Sequence, residues 1–207
     1  EEVNEYWGHT LYHYEDLATP IEKLPDVFSN FRKKAEKYAP VRELIRLNSL
    51  PPSPSEEEDS IPAIQDLWYE APDDEESSVL PFKGGTTEAW SRLRHYFWES
   101  DQLKSYKFTR NGLLGADYSS KFSPWLAYGC ISPREIYYEV KKYEEQRVKN
   151  KSTYWLVFEL LWRDYFQFVS LKYGAKLFYK TGVHGKQKHY DYDDAAWERF
   201  EAWKKGE

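Results

Sequence analysis

From Ser152 to about Tyr173 the chain is apolar almost all the way round a helical wheel, with Trp155, Leu156, Val157, Phe158, Leu160, Leu161, Phe166, Phe168 and Val169 leaving no broad polar face. A helix of that composition is stable only when other elements cover it on most sides, so it predicts a helical core with this segment at its centre. Glu159 and Arg163 interrupt it, and no apolar run approaches the length needed to cross a bilayer.

Other helices suited to covering it are readable nearby. Thr86 or Thr87 can cap a helix carrying Trp90, Leu93 and Phe97 on one stripe. Ser132-Pro133-Arg134-Glu135 is a capping box with proline at the first helical position, and Ile136, Val140 and Tyr143 then share a face. Spacing predicts further helices from about Pro25 to Tyr38 and from about Asp193 to Trp203. The aromatic run Trp7–Tyr14 reads as a strand. The fold class is therefore mainly α, with a strand and a helix at its beginning.

Charge divides the chain. Residues 48–85, rich in Pro and Ser, hold ten acids against Lys83 alone, and read as an acidic linker in which the short piece Ile61–Trp68 can dock on a neighbour. The overall charge of −6 hides a basic second part, where residues 86–207 carry 21 Lys and Arg against 16 acids. That excess suits a polyanionic partner, and equally an ordinary mixed surface. A single cysteine, Cys130, excludes an internal disulfide and a cysteine-built metal site and fits a reducing, intracellular setting. The five histidines form no ligand cluster, so no metal is expected.

Two constellations carry chemistry. On the central segment Glu159, Trp162 and Arg163 lie three and four apart and share one face. Charges on such a helix need partners, which leaves two readings: an i,i+4 ion pair, or a polar floor under a planar ligand with Trp162 as a stacking plate. Upstream, Ser119, Ser120, Lys121 and Ser123 precede a predicted short helix, Pro124–Tyr128, stopped by Gly129. Free amides, hydroxyls and a mobile cation there would cradle an anion. A capped turn with surface serines is the alternative. Neither GxxxxGK nor GxGxxG occurs.

The run Thr109-Arg-Asn-Gly-Leu-Leu-Gly-Ala-Asp-Tyr-Ser-Ser-Lys-Phe-Ser-Pro-Trp…Ser132-Pro-Arg134 resembles the flavin-binding segment of the photolyase/cryptochrome family, in its cryptochrome DASH form. Phe158-Glu-Leu-Leu-Trp-Arg-Asp-Tyr-Phe166 resembles that family's central helix, and Trp7-Gly-His-Thr-Leu-Tyr-His13 its last strand before the linker. The resemblance implies residues 1–47 as the end of an α/β domain, 48–85 as the interdomain linker and 86–207 as the first half of an all-helical FAD domain.

It further implies that Tyr106, Ser119, Ser120, Lys121, Phe122, Ser123, Glu159 and Arg163 hold FAD. Glu159 and Trp162 would act at a flipped pyrimidine dimer, and Arg110 on the DNA backbone. The implied activity is a light-driven carbon–carbon lyase repairing cyclobutane pyrimidine dimers, preferentially in single-stranded DNA. RNA is a further partner, and a folate antenna (methenyltetrahydrofolate) would be held mainly by an α/β domain. The resemblance also implies that the rest of the flavin domain, with most of the electron relay, lies beyond Glu207, with Tyr192 a candidate relay residue within this chain. A blue-light photoreceptor without repair and a flavin-free helical interaction module remain the alternatives.

Overall fold

Asn150 begins the central helix. Its side-chain oxygen accepts from the amides of Ser152 at 2.7 Å and Thr153 at 3.1 Å, two donors that the first helical turn otherwise leaves free. The resulting helix α6 (Lys151–Tyr173) starts one residue before the sequence predicts, because Asn150 satisfies both amides at once. In the computed structural model, which describes residues 2–45, 49, 52, 62–70 and 78–207, α6 packs against helices from both sides of it in the chain.

Helix α1 (Phe28–Tyr38) lays Phe28, Phe31 and Ala35 on it. Helix α5 (Pro133–Gln146) packs through Ile136, Val140 and Tyr143, and its capping box closes with both reciprocal bonds, at 2.7 and 3.1 Å. Helix α2 (Thr86–Arg94) contributes Ala89, Arg92 and Leu93, then widens into a π-turn, His95–Glu99, that buries Tyr96 and Phe97. Its cap is Gly85 rather than a threonine: at φ +93° Gly85 occupies backbone space open to glycine, leaving Thr86 inside the first turn. The short helices α3 (Tyr106–Thr109) and α4 (Ser123–Ala127) close the bundle's remaining side, and α7 (Asp194–Lys205) follows with Trp197, Phe200 and Trp203 exposed. The fold is mainly α.

Two expectations change. The run Trp7–Tyr14 is not a strand; it is extended and bent, because among the described residues no strand pairs with it. Its amides at Leu11 and Tyr12 go instead to the Asp164 carboxylate on α6, each at 2.9 Å. In the acidic segment, Ile61 and most of the acids lie outside the described residues, while Ile64–Leu67 forms a turn of 3₁₀ helix that docks on nothing described. Trp68 beside it is 95% exposed.

Candidate ligand cleft

Residues three and four apart on α6 line up, and here Glu159, Trp162, Arg163 and Phe166 form one wall of a cleft of about 780 Å³. The opposite wall comes from Tyr106, Ser120, Phe122 and Ser123, with Leu126 and Ala127 of α4 beside them. The two constellations read separately in the sequence thus face each other across one space.

The i,i+4 ion pair between Glu159 and Arg163 does not form. The Arg163 guanidinium is drawn between two backbone carbonyls, donating from Nη1 to His9 and from Nη2 to Leu126 at 3.3 Å. Glu159 pairs instead with Arg110, Oε1 to Nη1 at 2.8 Å. Burial lowers the pKa of Arg163, against the opposing pull of the nearby Asp164 carboxylate. Two of its five N–H donors are accounted for by those carbonyls. Its position on the cleft wall puts the guanidinium within the same space as the serines.

Trp162 presents less of a free plate than its spacing suggests. Phe28 of α1 stacks on the indole with ring centres 3.6 Å apart and planes 13° from parallel, and Phe166 lies at 5.6 Å, also nearly parallel. His9 and Gln167 complete that end of the cleft, and burial together with the nearby Arg163 charge lowers the pKa of His9.

On the loop side, Ser123 and Pro124 open α4 with proline in the first turn, and Ser120 is 8% exposed. Tyr106 is buried, which pushes its phenol up to about 12 and keeps it a neutral donor at any working pH. Ser119 and Lys121 do not line the cleft. Lys121 sits at φ +60°, left-handed backbone that a lysine adopts at a cost of about 1 kcal/mol. The turn there directs Ser120 and Phe122 to one side of the chain.

Three charged groups that organise the site were given no role in the sequence, although Asp117 and Asp164 lie within the matched runs. Arg92 lies behind the serine loop at 6% exposure, and Asp117 bridges it to His95. Asp164 is wholly buried behind Arg163, and desolvation raises its pKa to about 7 against the opposing pull of the two amides it accepts. A helical wheel of α2 would have flagged Arg92, which shares the buried face of Ala89, Leu93 and Tyr96. Tyr192, the candidate relay residue, is 80% exposed and accepts from Lys180. Among the described residues there is no cluster fit for a metal ion, and no helix long and apolar enough to cross a membrane.

Comparison with solved structures gives the class. The fold superimposes on the Synechocystis sp. PCC6803 cryptochrome with a TM-score of 0.77 and 48% identity over 97% of this chain and 41% of that one. The chain is similar over nearly its whole length to proteins of the photolyase/cryptochrome family, and its mainly helical fold matches a fragment of the FAD-binding domain. Within the family the similarity is to cryptochrome DASH proteins: the Gloeobacter violaceus protein of that name is 50% identical over 99% of this chain, and the Danio rerio one 49% over 99%. No family model matches. The chain spans about two fifths of those relatives, 41% and 39% of their lengths.

Proposed function

We propose that the cleft holds FAD and that the protein containing it works by light-driven electron transfer, repairing cyclobutane pyrimidine dimers with a preference for single-stranded DNA. The observation that carries this reading is the convergence of Tyr106, Ser120 and Ser123 with Glu159, Trp162 and Arg163 on one cleft, since these are the positions that the resemblance assigns to flavin and lesion. The donor set fits: hydroxyls and a helix start suit a pyrophosphate, and a guanidinium with a carboxylate suits the hydrogen-bonding edge of a planar ring. A volume of about 780 Å³ lies in the range of ligand pockets.

Bound there in reduced form, FAD supplies a photoexcited electron donor, and a dimer that takes the electron splits and returns it. The chain's own residues bind and orient. Ser120, Ser123 and the α4 amides hold the phosphates, with Lys121 adding charge from the loop. Arg163 and Glu159 fix the ring edge. Arg110, held by Glu159, lies within reach of a DNA phosphate beside the cleft. A dimer would have to leave the base stack to enter, which costs least in a single strand. The residue ranges 1–47, 48–85 and 86–207 serve in this reading as the end of an α/β domain, a linker and the first half of the flavin domain. No residue of this chain is assigned to a folate antenna.

A photoreceptor without repair is the second reading, and one observation favours it: Phe28 already covers a face of Trp162, the plate on which a flipped base would stack. A chimera in which this chain replaces its counterpart in the Synechocystis cryptochrome tests both. Flavin absorption in the purified chimera and dimer splitting in single-stranded DNA under blue light are expected. A colourless chimera would sink the cofactor assignment. A flavin-loaded chimera that leaves DNA and RNA dimers intact would remove repair and leave photoreception.

A further inference from the structure

The guanidinium of Arg92 makes four hydrogen bonds, all to one loop. Its Nε donates to the carbonyl of Ser120 at 3.0 Å, and its Nη2 to those of Ala116 at 2.9 Å and Ser119 at 3.1 Å. Its Nη1 pairs with Asp117 at 2.8 Å, and its carbon lies 5.2 Å from the centre of the Tyr96 ring. These partners sit 24 to 28 residues further along the chain, and all belong to the stretch leading into the cleft serines. Asp117 is in turn held by His95, whose ring nitrogen lies 3.0 Å from its second oxygen. His95 opens the π-turn that interrupts the helix carrying Arg92, a local widening of the kind that recurs at functional sites.

We infer that Arg92 is the positioning residue of the serine loop: it draws the carbonyls of residues 116, 119 and 120 back into the protein, so that the loop turns amides and hydroxyls rather than carbonyl oxygens toward a phosphate in the cleft. A peptide unit carries its donor and its acceptor on opposite sides. Holding the Ser119 carbonyl therefore biases the amide of the cleft-lining Ser120 the other way, and the grips on Ala116 and Ser120 fix the loop on either side of it. A buried guanidinium also leaves a positive charge behind a loop meant for an anion. Lysine could not replace it, because one compact ammonium cannot satisfy four oxygens spread over five residues in a plane.

The inference rests on the proposed FAD cradle, and its test separates the two. In the Synechocystis chimera the unsubstituted chain is first loaded with FAD; if it takes up none, the cofactor reading fails and not this one. With FAD bound, Arg92→Lys is expected to loosen FAD by about ten- to a hundredfold, the scale of a small misplacement of binding groups. The phosphorus resonances of the bound pyrophosphate should shift, while the visible bands of the flavin ring stay in place. Unchanged affinity with unmoved phosphorus resonances would overturn the inference. So would weakened binding with unmoved resonances, which marks a generally loosened fold. If the lysine variant does not fold, Asp117→Asn serves: it removes one of the guanidinium's charge partners but keeps its three carbonyls, and should shift the same resonances with a smaller loss of affinity. Unmoved resonances in that variant would count against Arg92 equally.

Discussion

The two walls of the cleft are anchored by opposite means. The serine loop is held from behind by a buried cation, Arg92, gripping backbone carbonyls. The α6 wall is held from behind by a buried anion, Asp164, gripping the amides of Leu11 and Tyr12 and so fixing the segment whose His9 carbonyl receives Arg163. In each case a charge outside the cleft orients backbone, and the backbone orients a side chain or amide inside it. The difference lies in desolvation. Arg92 reaches a charged partner in Asp117, whereas Asp164 has only neutral amides within bonding distance and a pKa raised to about 7.

The largest expected effect breaks the loop wall. Arg92→Ala strands three carbonyls, one of them on the buried Ser120, and takes the guanidinium from the one-third-exposed Asp117, and should lower stability by about 3–5 kcal/mol. Urea unfolding with matched slopes would measure it. A loss under about 1 kcal/mol would mean that water replaces the guanidinium and that the loop does not depend on it.

Next comes Asp164. A carboxyl whose pKa is higher folded than unfolded binds protons more tightly in the folded state, so its contribution is fully present below about pH 4 and is lost as pH rises through about 7. The whole change is worth on the order of 4 kcal/mol, and Asp164→Asn should remove it. An Asn variant with the slope of the parent would assign the titration to other groups. Arg92→Lys should leave it intact, which sharpens the contrast between the walls.

Both anchors explain what was and was not legible in the chain. Helix α6, the Ser132 capping box and α1 were readable because local spacing and capping chemistry decide them. The grouping of Ser120, Ser123, Glu159 and Arg163 was legible only as two separate motifs and a resemblance. What could not be read is which backbone group each buried charge would meet. Asp164 finds amides 152 and 153 residues away, and an amide carries no residue-type signal. The same blindness made Trp7–Tyr14 look like a strand, since aromatic composition favours extended backbone whether or not a partner strand exists. The reading of Glu159 and Arg163 as an i,i+4 ion pair failed for the same reason: Arg163 goes to two backbone carbonyls, and Glu159 pairs with Arg110 instead.

That exchanged pair gives a smaller prediction. Glu159 and Arg110 are each about 30% exposed, at 29% and 31%, so solvent screens much of their attraction. A double-mutant cycle with Glu159→Gln and Arg110→Ala should give a coupling below about 1 kcal/mol. A coupling of several kcal/mol would show a drier cleft mouth than the exposures indicate.

The smallest effect is expected at Lys121, and its sign matters more than its size. Left-handed backbone costs a lysine about 1 kcal/mol, which Lys121→Gly would relieve, while the added freedom of the unfolded glycine chain offsets much of the gain. Thermal unfolding should therefore move by less than about 1 kcal/mol in either direction, whereas Lys121→Val, whose branched side chain tolerates that backbone poorly, should be clearly destabilised. If glycine proved strongly destabilising, the lysine side chain would be making contacts that hold the loop together. If both variants were neutral, the loop would reach its shape through Arg92 alone, and the strained residue would be a consequence of that grip rather than a part of it.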